Sequence, residues 1–192
     1  PTYNRIALLP RVIESILNQT ETDYELVILN DGSQDGTEQI LKQYQKEYPH
    51  IRVITLPENK GVAHARNILN QQAKGDYIAI MDSDDLAYPF WLEKMHSFIL
   101  EHPDIDLFIP KKEEFTDENL DDLQSLARPL KNIFFGNSFE NVGNIFKREF
   151  VLEHNIMYNP AYSCGEDWDF WIQMLLNGAK VRSLYHIEPL VM

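Results

Sequence analysis

Three apolar runs of strand length, Glu25 to Asn30, Ile51 to Leu56 and Asp76 to Met81, are separated by stretches with helical spacing, and this alternation restricts the fold more than any other feature. Strands that alternate with amphipathic helices build βαβ units, which place helices on the faces of a largely parallel sheet. The first helix is predicted from about Pro10 to Asn18, with Val12, Ile13, Ile16 and Leu17 facing inward. A second follows Asp35, a natural N-cap, with Ile40, Leu41 and Tyr44 at helical intervals. A third covers Val62 to Ala73 and ends before Gly75. Val, Ile and Leu on both faces of the strands imply a sheet covered on both sides, so the first half reads as α/β.

The second half continues with a helix from about Pro89 to Leu100 and a strand near Ile105 to Ile109. Lys111 to Lys131 then turns polar, and six of the ten residues from Glu113 to Asp122 are acidic, the composition of a solvated insertion. Regular patterning returns at Asn141 to Lys147, with helices near Glu149 to His154 and Glu166 to Leu176 and a strand near Val181 to Tyr185. A single domain over 1–192 is expected, with a donor half to about 110 and an acceptor half from about 111.

Charge and composition exclude several classes. With 17 Lys+Arg against 30 Asp+Glu the net charge is −13, which repels a phosphate backbone, so nucleic acid is not an expected partner. No apolar stretch approaches the roughly 18 residues of a membrane span. The single cysteine, Cys164, excludes an internal disulfide framework and a cysteine-based zinc site. Pro1 begins without an initiator Met or a signal peptide, and the chain is expected to be an excerpt that lacks part of its first strand.

In open α/β sheets, ligands bind beyond the carboxyl ends of the strands. Two of those ends carry carboxylates: Asn30-Asp31-Gly32-Ser33 and Asp82-Ser83-Asp84-Asp85. Each run alone reads equally well as a turn, since Asp-Gly is a good turn pair and Ser33 or Asp35 can cap a helix. Together at one sheet edge they repel each other and any phosphorylated ligand unless a divalent cation lies among them. Asp82 and Asp84 are hard oxygen donors two residues apart, which suits Mg²⁺ or Mn²⁺ on a diphosphate. Neither G-x-G-x-x-G after a strand nor G-x-x-x-x-G-K-[ST] is present.

In order, Pro1-Thr2-Tyr3-Asn4-Arg5, Gln19-Thr20, Leu26 to Asp35, Asn59 to Asn67, Gly75 to Ala79, Asp82 to Asp85 and Gly165-Glu166-Asp167 strongly resemble the family 2 glycosyltransferases of the GT-A fold. The resemblance spans Pro1 to about Asp167. It implies a Rossmann-like, mostly parallel central sheet flanked by helices, with a mixed acceptor-side second half. It also implies a nucleotide pocket lined by Thr2, Tyr3 and Asn4, with Asp31 accepting from the base and Arg66 near base and diphosphate. Asp82 with Ser83 then lies on the ribose side and Asp84 ligates the metal; Asp85 is an alternative member of the pair. His186 reads as a strand-end histidine with a structural hydrogen bond rather than a late metal ligand.

At the later helix, Trp168, Trp171, Ile172 and Leu175 fall on one face and read as core. Ser163 and Glu166 match a capping box, which gives Glu166 a structural task. Asp167 has none, and a carboxylate held ionised at a helix start suits a general base. The implied activity is inverting transfer of a sugar from a nucleotide-diphosphate donor, UDP-linked by expectation, to the hydroxyl of a glycan or lipid-linked acceptor. Cell-surface polysaccharide or glycolipid synthesis is the expected setting, in the cytoplasm or peripheral to the inner membrane face. The alternatives are a nucleotidyltransferase, which should show a glycine- and basic-rich loop where Thr2 to Arg5 stand, and a degenerate domain that binds nucleotide-sugar without turnover.

Overall fold

The computed structural model describes residues 1–111, 142–184 and 189–191. Residues 112–131 and His186, both singled out above, lie outside the described residues. The chain opens with a loop and helix α1 (Leu9–Leu17), which buries Leu9, Val12, Ile13 and Ile16 at i, i+3, i+4 and i+7. Strand β1 (Leu26–Asn30), helix α2 (Thr37–Glu47), strand β2 (Ile51–Thr55), helix α3 (Val62–Gln72) and strand β3 (Tyr77–Ala79) follow. The remaining elements are α4 (Trp91–Glu101), β4 (Leu107–Pro110), β5 (Ile145–Lys147), α5 (Arg148–Glu153), α6 (Glu166–Leu176) and β6 (Val181–Leu184). The predicted βαβα order therefore stands.

β1 and β2 pair in parallel, Leu26 opposite Ile51 and Asn30 opposite Thr55. The other four strands form a mixed sheet in the order β3-β5-β4-β6. β5 runs antiparallel to both neighbours, and β4 and β6 are parallel. Side chains alternate across this sheet as a pleat requires: Leu107, Ile109 and Phe146 enter a core with Phe170, Trp171 and Met174 of α6, while Phe108 and Ile145 face Trp91 and Met95 of α4. A third cluster joins Leu9 and Ile13 to Ile28, Leu41 and Ile51, fixing α1 and α2 on β1 and β2.

Two helix starts differ from expectation. α2 begins at Thr37 behind a left-handed Gly36, so Asp35 is not its N-cap. Its carboxylate instead accepts from the Thr37 amide at 3.0 Å, the Thr37 hydroxyl at 2.6 Å and the Ile6 amide at 3.0 Å. α6 has Gly165 at its N-cap, φ +76°, with no side chain capping it. The Ser163–Glu166 capping box is thus not formed, and Glu166 is engaged elsewhere. The core stripe of α6 is also rotated: Phe170, Trp171 and Met174 are buried, whereas Trp168 and Leu175 pack at its margin.

Between β1 and β3 lies a cavity of about 570 Å³ lined by Leu26 and Val27 on one side and Tyr77 to Met81 on the other. Pro1 stands at its wall, with Asn70 of α3 and Ala73 just past its end also lining it. Thr2 forms a parallel bridge with Asn30, donating its amide to the Leu29 carbonyl at 2.8 Å and accepting from the Asp31 amide at 2.9 Å. The chain from Pro1 thus leaves this cavity alongside β1 and turns into the loop that meets the carboxyl end of the strand.

Candidate active site

The loop after β1 is cross-tied to its neighbours. Asp31, only 3% exposed, accepts the Lys60 amide on Oδ1 at 2.8 Å and the Gly61 amide on Oδ2 at 2.9 Å, fixing the turn that starts α3. Gly32, at φ +72°, allows this approach, since a Cβ there would stand 2.5 Å from the Glu58 carbonyl carbon. The Asn4 amide donates to the Ser33 hydroxyl at 2.9 Å, the Asn4 side chain accepts from the Gln34 amide at 2.8 Å, and the Asn30 side chain accepts from the Ser33 amide at 3.1 Å. Asn4 takes a left-handed φ of 51°, which asparagine tolerates. Tyr3 is exposed on this loop, and Thr2 is buried with no protein partner for its hydroxyl among the described residues.

The loop after β3 is held by arginines. Asp82 accepts from Arg66 Nη2 at 2.9 Å, and Arg66 Nη1 donates to Glu166 at 2.8 Å. One buried guanidinium of α3 therefore joins the Asp82 loop to the first turn of α6. Burial works against the charge of Arg66, but Asp82 foremost, then Tyr158 and Glu166, more than offset this, so its pKa is raised. The guanidinium carbon lies 5.4 Å from the centroid of the Tyr158 ring, a cation–π contact. Tyr158 is itself buried and stacked on Phe170, with centroids 4.2 Å apart. Burial pushes its phenol well above the usual range, with Asp82, Asp167 and Glu166 adding to the effect against Arg66. These charges converge on one tyrosine.

Asp84 is exposed and pairs with Arg5 at 3.4 Å. Ser83 lies half-buried between the two aspartates, and Asp85 closes the turn with its amide 3.4 Å from the Asp82 carbonyl. Among the described residues no three His, Cys, Asp or Glu groups cluster as a metal cage. The donor set nevertheless fits a divalent cation of the kind that takes one or two carboxylates and completes its shell with phosphate and water. An exposed ion pair as loose as Arg5–Asp84 is worth little and yields readily. Asp167 is half-buried in the first turn of α6, one residue beyond Glu166, and accepts from the Trp168 amide at 2.8 Å.

The structure thus brings Arg66, Asp82 and the Glu166-Asp167 turn together, and it groups Thr2, Asn4 and Asp31 in the neighbouring loop. Sequence reasoning missed Tyr158 and the contact of Glu166 with Arg66. Asn67, next to Arg66, ties Tyr158 to α3: its side chain donates to the Tyr158 carbonyl at 2.7 Å and accepts from the Tyr158 amide at 2.8 Å.

A family model described as glycosyl transferase family 2 matches residues 1–165. The chain belongs to that family. This family 2 glycosyltransferase is 41% identical over 101 residues to the putative teichuronic acid biosynthesis glycosyltransferase TuaG of Bacillus subtilis, covering 53% of this chain and 40% of TuaG. Its structure is similar to that of Staphylococcus aureus TarS 1–349 in complex with UDP, with a TM-score of 0.84 at 22% identity over 100% of this chain and 57% of that one. It is likewise similar to the mannosyltransferase PcManGT from Pyrobaculum calidifontis in complex with GDP-Man and Mn²⁺, with a TM-score of 0.74 at 20% identity over 98% of this chain and 53% of that one. The fold is therefore GT-A. The chain spans about half the length of these proteins. No helix among the described residues is long and apolar enough to cross a membrane.

Proposed function

We propose that this glycosyltransferase catalyses inverting transfer of a sugar from a UDP-linked donor to an acceptor hydroxyl on a glycan or lipid-linked molecule. The setting is cell-surface polysaccharide or glycolipid synthesis at the cytoplasmic side of the membrane. The observation that carries this reading is the Arg66 guanidinium, which joins the Asp82 loop at the carboxyl end of β3 to the α6 turn bearing Asp167. Donor-side carboxylates and a candidate base thereby share one sheet edge. The UDP complex of TarS and the Mn²⁺ complex of PcManGT support the donor class and a divalent cation.

In this reading Thr2, Tyr3 and Asn4 border the nucleotide. Asp31 holds the Lys60-Gly61 turn and offers its remaining lone pairs to the base, while Asp82 with Ser83 lies on the ribose side. Asp84 would hold Mn²⁺ or Mg²⁺, which supplies charge neutralisation for the departing diphosphate when bound. Arg66 adds a fixed positive charge beside the same group. Asp167 takes the proton of the acceptor hydroxyl as its oxygen attacks the anomeric carbon from the face opposite the leaving diphosphate, and that approach inverts the configuration.

The test separates binding from chemistry. Asp167→Asn keeps the size and removes the basicity, so it should bind UDP with Mn²⁺ within about twofold of wild type while transfer falls by about 10² or more. Normal transfer by this variant would remove Asp167 from the base role. A wild-type domain that binds the nucleotide but neither transfers nor hydrolyses UDP-sugars would favour the non-catalytic binding domain.

A further inference from the structure

Glu166 is half-buried at the first position of α6, and the helix there has no side-chain cap to fix its first turn. What holds that turn from the side is Arg66, whose guanidinium is 8% exposed and spans 2.8 Å to Glu166 and 2.9 Å to Asp82. A planar fork with two donor edges can serve two carboxylates at once, and charge-assisted bonds of this length are about twice as strong as neutral ones. The arginine is seated on the Tyr158 ring, and its neighbour Asn67 clamps the Tyr158 backbone at both N–H and C=O. α3 thus grips both the chain entering α6 and the first turn of α6. The same guanidinium grips the loop after β3.

We propose that Glu166 is a positioning residue that acts through Arg66, setting the place of Asp167 relative to the loop carrying Asp82 and Asp84. The proposal rests on the reading of Asp167 as the base. Its physical content is a shared tie: Glu166 and Asp82 are both bound to one guanidinium, so loosening either end changes the distance between the base and the donor loop. Misplacement by about 1 Å can cost about 10²-fold in rate without loss of binding. Glu166 needs no contact with substrate for this effect.

The experiment is a double-mutant cycle with Glu166→Gln, Arg66→Lys and the pair, reading kcat, donor KM, affinity for UDP and for the UDP-sugar, and melting temperature. Lysine keeps the charge at position 66 but cannot fork between two carboxylates. Glu166→Gln should lower kcat by about 10- to 100-fold with UDP affinity within about twofold, and should lower it little further in the Arg66→Lys background. Additive losses in kcat would overturn the proposal, because Glu166 would then act independently of Arg66. So would a lower melting temperature with full kcat per folded molecule, which marks a purely structural role, or a loss confined to UDP-sugar over UDP, which marks a sugar contact. If Arg66→Lys does not fold, Asp82→Asn takes its place in the cycle with the same expectation. Asp167→Asn is measured alongside: normal transfer by that variant defeats the base reading itself, whereas an inactive Asp167→Asn with an additive cycle defeats only the role of Glu166.

Discussion

The loops after β1 and β3 both end in carboxylates at the same edge of the fold, yet they are built differently. After β1, Asp31 and Asp35 are held by backbone amides and a hydroxyl, partners that cannot leave without unfolding the loop. After β3, Asp82 and Asp84 are met by the side chains of Arg66 and Arg5, and Asp84 is exposed. Amide-bound carboxylates shape a pocket. An exposed carboxylate balanced by a loose surface arginine, as Asp84 is by Arg5, can exchange it for a metal. The difference separates a backbone-tied loop from one tied by side chains within one family 2 glycosyltransferase.

Substitution at equivalent loop positions should expose that asymmetry most strongly. Asp31→Ala leaves the Lys60 and Gly61 amides without their acceptor, and an orphaned buried donor costs about 1–3 kcal/mol. Stability should fall by about 2–4 kcal/mol in urea denaturation, whereas Asp84→Ala should stay within about 0.5 kcal/mol of wild type. Equal losses at the two positions would erase the distinction.

The cavity between β1 and β3 allows the next test. Appending about six alternating β-branched residues ahead of Pro1 would carry the parallel pairing already begun by Thr2 back along β1. Each apolar side chain buried there contributes about 1.5–3 kcal/mol, offset in part by about 1–2 kcal/mol per residue ordered. The denaturation midpoint should rise. An unchanged midpoint would mean that the cavity does not accept a strand.

A smaller effect is expected far from both loops. The Asp23 amide, His96 and the Thr22 amide hold Glu21 at a pKa of about 2, below its ordinary value of 4.5. A depressed carboxylate stabilises the folded state above its unfolded pKa, and that contribution disappears as pH falls through the folded pKa. Wild type should therefore lose stability from about pH 4.5 toward about pH 2, more steeply than Glu21→Gln, in a melting series across that window. The group is near the surface, so the difference should be small.

What was legible in the sequence follows from the range of the interactions involved. β1, β2 and α3 are marked by local periodicity, and the carboxylates of positions 82 to 85 by their place after a strand. The antiparallel insertion of β5 between β3 and β4 was not legible, because pairing Ile78 with Phe146 is decided by contacts distant in sequence. Ser163 and Glu166 have capping-box spacing, but Gly165 takes the cap in a left-handed conformation and a distant arginine claims the glutamate. Tyr158 lies in a stretch without periodicity, so nothing local announces that it supports Arg66.

When nucleotide arrives, Asp84 in the loop after β3 is expected to exchange Arg5 for a divalent cation. The most direct test is the melting shift produced by UDP with and without Mn²⁺ in wild type and in Asp84→Ala, with GDP and dTDP in parallel to identify the base. A ligand at about 100 times its Kd adds about 2.7 kcal/mol of stability. The shift should be much larger for UDP with Mn²⁺ than without it in wild type, and Mn²⁺ should have no effect in Asp84→Ala. A mutant whose shift with UDP and Mn²⁺ equals that of wild type would contradict it.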